Sequence, residues 1–205
     1  MERTSRVSLG RNGLTVRLGA TPITIHPTFL LLVAFYVLAT GRPWQYGLMF
    51  AGVALVGILW HELGHAVAFK LVGRPSRIMV HGIGGVTIAD NEPPLADAHG
   101  AGVALAGPLF GMSVGLVALW LQLHDVGEGA LWSRLLISDI VFVNLGWGLL
   151  NLLPILPLDG GQVVERLTGL FAPRLRRTVP YVIGLATAVA GVVLVGLAAG
   201  SVEGI

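Results

Sequence analysis

The chain contains no cysteine. Disulfides and thiolate chemistry are excluded, and redox usage says nothing of the compartment. Charge is also scarce: 12% of the 205 residues are Asp, Glu, Lys or Arg, against about 25% in an average globular domain. The net charge is only +2, so a pI near 9.5 carries little information about partners. The arginines stand in clusters between apolar runs, which reads as topology signals and not as a nucleic-acid face. The first twenty residues hold Arg3, Arg6, Arg11 and Arg17 with no apolar core between them. No small-residue cleavage site accompanies the first apolar run, so a secretory signal peptide is not expected. Internal repeats, low-complexity tracts and a soluble domain on either side of the helices are not expected either.

What is present is apolar. Hydrophobic residues make up 54% of the chain, with 29 glycines and a mean hydropathy of +0.79. That composition predicts an all-α integral membrane protein, in which glycine lets helices approach closely. Six membrane-associated segments are expected: Pro27 to Thr40, Gln45 or Tyr46 to Leu71, Gly100 to Leu123, Leu135 to about Leu153, Asp159 to Leu170, and Thr178 to Val202. A span needs about 20 apolar residues, and the first and fifth fall short of that. The expected fold is a polytopic bundle of about six transmembrane helices with a small β-hairpin near the cytoplasmic side. Residues 1–205 are read as a single integral-membrane domain: an N-terminal cytoplasmic arm at 1–26, the hairpin at 77–90, and a C-terminal helix region at 173–205.

Charge bias predicts an orientation. The N-terminal segment and the loop with Lys70, Arg74 and Arg77 are basic, whereas Arg42 and Arg134 stand alone in the other two loops. The N-terminus is therefore expected inside, with Trp44, Trp120 and Trp132 near the outer interface. The rule breaks at Arg174, Arg176 and Arg177, read here as a solvated or headgroup-facing patch. Between the second and third segments, RIMVHGIGGVTIAD reads as two strands around a glycine turn. Gly107, Gly111 and Gly115 repeat every fourth residue, a close-packing face.

Against this background WHELGHAVAF, Trp60 to Phe69, stands out. Residues four apart share a helix face, so His61 and His65 can chelate one metal ion, with Glu62 beside them as a candidate base. A charged side chain in mid-helix costs roughly 2.5–3.5 kcal/mol on insertion scales and marks function by default. The bland reading places the three at the helix end, where they snorkel. A catalytic zinc takes three protein ligands and an open position, and the third ligand must come from His81, His99, Asp139, Asp159 or Glu165. Asp159 follows Pro154 and Pro157, which interrupt the fourth helix. From spacing alone it reads equally well as a metal ligand or as an N-cap for the fifth segment.

HELGH, the AGP at Ala106 to Pro108, and NLLPILPLDGG together resemble the site-2 protease family of intramembrane zinc metalloproteases. TPITIHPTFLL and the GGV of the loop are similar to it too, so the resemblance runs from about Leu18 to Leu170. It implies one Zn²⁺ per chain on His61, His65 and Asp159, with Glu62 as the catalytic glutamate. It also implies Asn151 near the metal, as a donor to the developing oxyanion, and Asn144 as a less uniform family asparagine. For Asn144 the alternative is a helix–helix hydrogen bond. Leu156 replaces a proline of the usual motif. The PDZ and CBS modules that many members carry are missing, so the chain is expected to be a minimal core. The implied activity is hydrolysis of a peptide bond within or near the transmembrane segment of a single-span substrate. A membrane-tethered regulator such as an anti-sigma factor would qualify. Val86, Thr87 and Ile88 are the expected edge for strand addition to that substrate, a plugging hairpin being the alternative. Metal-ion or proton transport, or a silent scaffold, are the rival classes. Transport predicts polar groups spread along several helices, and here they converge.

Overall fold

A computed structural model describes residues 7–10, 13–39, 43–89, 93–127 and 129–202. Arg3, Arg6, Arg11, Thr40, Arg42, Asp90 and the last three residues of the C-terminal region lie outside them. Among the described residues, four helical stretches are long and apolar enough to cross a membrane: Trp44–Leu71, Asp97–Leu123, Leu131–Asn151 and Thr178–Val195. They are the second, third, fourth and sixth predicted segments. The chain divides into two compact units, one of 1–93 with 106–148, the other of 94–105 with 149–205.

The first unit joins a sheet to helices. Strands β1 (Val7–Gly10), β2 (Gly13–Leu18), β3 (Thr21–Ile25), β4 (Ser76–His81) and β5 (Gly84–Ala89) form one sheet in that spatial order. The predicted hairpin is β4 and β5, paired antiparallel from Ser76↔Ala89 to His81↔Gly84. The surprise is its extension. The arm read as a cytoplasmic segment supplies three more strands, and β3 lies parallel to β4 with Ile23 opposite Ile78. Helices α1 (Phe29–Ala39) and α2 (Trp44–Leu71) follow β3 and lead into β4. A parallel pair requires such a crossover.

Alternation in β4 explains how the sheet meets α2. Ser76, Ile78 and Val80 point inward, and Ile78 and Val80 are almost wholly buried. With Phe29, Ile58 and Ala66 they make the core, flanked by Ile23, Ile25, Leu55 and Leu63. The sheet is thereby pinned on the half of α2 that carries HELGH. Later parts of α3 (Asp97–Leu123) and α4 (Leu131–Val141) complete this unit. Tyr46 stacks on Trp132 with ring centroids 4.4 Å apart. A π-helical turn, Phe142–Gly146, links α4 to α5 (Trp147–Asn151).

In the second unit α6 (Asp159–Phe171) and α7 (Thr178–Val202) follow the proline-rich segment. The α6 helix is strongly two-sided and has 13 residues, too few for a span. The arginine patch divides. Arg176 lies 2.9 Å from Asp97 and 3.5 Å from Glu165, and Arg166 lies 3.4 Å from Asp97. Arg174 and Arg177 are exposed. The cluster read as solvated is thus in part an internal ion-pair network at the start of α3. Gly169 makes room for it, because a Cβ there would strike the Asp97 carboxylate.

Candidate metal centre and base

The second half of α2 carries the candidate ligand pair and base. His61, Glu62 and His65 are only 5–8% exposed, which rules out the snorkelling alternative. The Nε2 atoms of His61 and His65 are 3.2 Å apart, with the rings edge to face. Two nitrogens each about 2.0–2.1 Å from a tetrahedral zinc lie about 3.3 Å from one another. The pair therefore fits the bite of one zinc ion. The same separation suits an imidazole–imidazole hydrogen bond, so a second observation is needed, and α3 supplies it. A Cβ on Gly107 would overlap Nε2 of His65 and come within 2.7 Å of Nε2 of His61. The space in front of both Nε2 atoms is kept open by the glycine of the AGP motif. Gly64 performs a related task inside HELGH, where a Cβ would meet the Ala106 carbonyl oxygen at 2.5 Å. Trp60 then ties the two helices through Nε1–H donated to the Phe110 carbonyl, 3.0 Å.

Glu62 is held by β5. The Thr87 hydroxyl lies 2.7 Å from Glu62 Oε2 and 3.0 Å from the Glu62 carbonyl oxygen. A Cβ on Gly85 would come within 2.6 Å of Glu62 Cγ and Oε1. Val86 and Ile88 lie on the opposite face, about a third exposed. Strand β5 has β4 as its only described neighbour, so its other edge carries no strand among the described residues.

Asn144 sits in the π-helical turn and is buried. Its Nδ2 donates to the Ile140 carbonyl, 2.9 Å, within its own helical stretch. Its Oδ1 is the buried side-chain acceptor that lacks a partner among the described residues. It lines a cavity of about 10 Å³ together with Gly57, His61, Gly111 and Trp147. The glycine stripe fits this packing: a Cβ on Gly111 would lie 3.7 Å from His61 Nδ1, and one on Gly115 would meet Leu145 Cγ at 2.7 Å.

In the second unit α5 ends at Asn151, which is half-buried. Leu158 is extended and caps α6, and Asp159 is the first helical residue. The N-cap reading of Asp159 is therefore replaced. The carboxylate belongs to the first turn, where the helix dipole favours negative charge, and it is buried. Gly160 and Gly161 do more than relax the chain. A Cβ on Gly160 would strike the Leu152 carbonyl, and one on Gly161 would meet Ile155 and Leu156 backbone at 2.5 Å. LPLDGG is thus folded tightly back on NLLPIL.

The other ligand candidates have different settings. Ile83 N–H donates to Nδ1 of His81 at 3.4 Å, Glu165 pairs with Arg176, His99 is exposed and Asp139 is half-buried. Sequence reasoning missed Gly85 and the Thr87–Glu62 contact. GGV was a visible signal, but it did not say which side chain needed the space.

The chain is 31% identical over 150 residues to a zinc metalloprotease of Methanocaldococcus jannaschii, covering 70% of this chain and 42% of that protein. It is 33% identical over 141 residues to a Synechocystis protein with a zinc metalloprotease name, covering 65% of this chain and 35% of that one. It is 31% identical over 205 residues to Rip3 of Mycobacterium tuberculosis, also named for zinc metalloprotease activity, covering 85% and 51%. It therefore spans about half the length of these relatives or less. No family model matches the chain. The solved structure of a site-2 protease from Methanocaldococcus jannaschii superposes with a TM-score of 0.60 at 25% identity, over 92% of this chain and 88% of that one. With four helices among the described residues long and apolar enough to cross a membrane, the chain is an integral membrane protein, and it belongs to the site-2 protease family.

Proposed function

We propose that this protein is a zinc-dependent intramembrane endopeptidase, hydrolysing a peptide bond within or near the transmembrane segment of a membrane-bound substrate. The observation that carries the reading is the buried pair of His61 and His65, with Nε2 atoms 3.2 Å apart in front of an obligatory glycine. In this reading Asp159, buried like both histidines, is the third donor, and two imidazoles with a carboxylate are the make-up of a catalytic zinc site with one open position. One Zn²⁺ held there supplies Lewis acidity toward water and the scissile carbonyl.

The chain's own groups supply the rest. Glu62 accepts the proton of the attacking water and passes it to the leaving amine. Asn151 donates to the developing oxyanion or to substrate backbone. Asn144 is a further contact to the unwound substrate. A helical substrate must unwind before its carbonyls are reachable, and the edge of β5 at Val86, Thr87 and Ile88, which carries no strand among the described residues, offers main-chain groups to receive it.

Residues 1–205 act as a single domain within the lipid bilayer, in a prokaryotic cell membrane. The N-terminus is cytoplasmic and the site lies nearer the cytoplasm, in keeping with the basic loops at that side. The substrate is a single-span protein such as a membrane-tethered regulator; an anti-sigma factor would qualify.

The test is cleavage of a single-span substrate by purified protein in liposomes. Glu62→Gln should lower cleavage by about 10²–10⁴-fold while zinc content, read by elemental analysis, stays at one ion per chain. Undiminished cleavage would remove Glu62 from the mechanism.

A further inference from the structure

Strand β5 touches the candidate base with two consecutive inward residues. Gly85 and Thr87 alternate with Val86 and Ile88, so they share the face turned to α2. At Gly85 the strand backbone lies so close that a Cβ would come within 2.6 Å of Glu62 Cγ and Oε1. At Thr87 the hydroxyl reaches Glu62 Oε2 at 2.7 Å. A hydroxyl has one proton to donate, and the two acceptors within reach are that carboxylate oxygen and the Glu62 carbonyl at 3.0 Å. The carboxylate is the stronger acceptor and the closer one. Glu62 is thereby walled on one side by a glycine backbone and bonded from the same strand two residues on.

A long carboxylate side chain in an apolar helix has several rotamers. A base is effective only when its oxygen stays within hydrogen-bond reach of the proton it takes. We propose that Thr87 is a positioning residue for Glu62: its hydroxyl selects the one rotamer in which the carboxylate is turned for proton transfer. This rests on the reading of Glu62 as base. It gives β5 a second task beside the one assigned to its edge. The two tasks are separable, because strand pairing uses main-chain groups in the plane of the sheet while the Thr87 side chain stands perpendicular to it.

The separation makes the inference testable. Thr87→Val keeps shape, β-branching and the backbone edge, and loses only the hydroxyl. With a single-span substrate, kcat should fall about 10- to 100-fold, with KM and zinc content within about twofold of wild type. Thr87→Ser restores the hydroxyl and should recover most of kcat. A rise in KM alone would assign Thr87 to substrate binding and overturn the proposal. Loss of zinc, or an unchanged kcat, would overturn it as well. A stability cycle reads the contact without catalysis. If Thr87 and Glu62 interact, Thr87→Val, Glu62→Ala and the double variant will show non-additive shifts in thermal midpoint; additive shifts would remove the contact. Wild-type protein that cleaves no substrate would sink the base assignment instead, and the cycle would then decide the contact by itself.

Discussion

Helix α2 runs 28 residues and α7 runs 25, and both are apolar enough to cross a bilayer. In α2, 44% of the most apolar window is buried within the protein; in α7 the share is 11%. By hydropathy alone α7, at 2.1 against 1.5, would be the better candidate for an interior position. The difference lies in what the two helices turn inward. The buried residues of α2 are Gly47, Ala51, Ala54, Gly57 and Ile58, then His61, Glu62, Gly64, His65 and Ala66. Small residues recur every third or fourth place and run directly into the polar ones. Along α7, Val192, Leu194 and Val195 are 66–74% exposed, as suits a helix bathed in lipid. In a membrane, hydropathy says that a helix crosses; small residues in register with polar ones say which helix carries a site.

One substitution, glycine to alanine, tests this comparison at three places. The largest effect is expected at Gly107 on α3. A methyl group there overlaps the ligand atoms of both histidines, which cannot retreat because their backbone belongs to the buried face of α2. Gly107→Ala should reduce zinc content well below one ion per chain, with cleavage falling by at least about 10²-fold. Full zinc occupancy in this variant would mean that the open space in front of the pair is not needed.

The middle case is Gly64 on α2. Its Cβ would meet the Ala106 carbonyl oxygen at 2.5 Å and Phe110 Cβ at 2.9 Å, and the first of these is backbone that moves only with α3. Gly64→Ala should cost about 1–3 kcal/mol, the usual range for overpacking, read as a lower thermal midpoint in detergent. An unchanged midpoint would show that α2 and α3 can part at no cost, and the close-packing account would lose its support.

Much of this arrangement was legible in the sequence. HELGH pointed to the buried histidine pair and the glutamate beside it, and the glycines at 107, 111 and 115 named the face of α3 that packs. The β4–β5 hairpin was plain from alternation around Gly82. These are local periodicities, which the helix and strand repeats translate directly into faces. What was not legible depends on distant partners. Strands β1 and β2 are short and largely exposed, and β3 is evenly half-buried, so they lack the contrast between an inner and an outer face. The arginines of the N-terminal segment also read as topology signals. The pairing of Ile23 with Ile78 joins residues far apart in sequence and is chosen by the core they share. The same holds for Arg176, whose partner Asp97 lies at the other end of the unit's chain. The N-cap reading of Asp159 missed by one residue. Polar side chains suit either position, and only the extended Leu158 shows where the helix starts.

The smallest effect should have the opposite sign. A Cβ on Gly191, in α7, would meet nothing within 4 Å. Without a contact to lose, the backbone term remains. Glycine in a helix interior is less favourable than alanine by roughly 0.5–1 kcal/mol, because it surrenders more conformational freedom on folding. Gly191→Ala should therefore raise the thermal midpoint slightly and leave zinc content and cleavage unchanged. A lowered midpoint would mean that this face of α7 packs closely against a partner, such as a second copy of the chain, and is not open to lipid. The contrast with α2 would then weaken, because both helices would owe their glycines to packing. A raised midpoint beside the losses at Gly64 and Gly107 would show one chemical change acting with opposite sign, decided only by what stands opposite the missing methyl group.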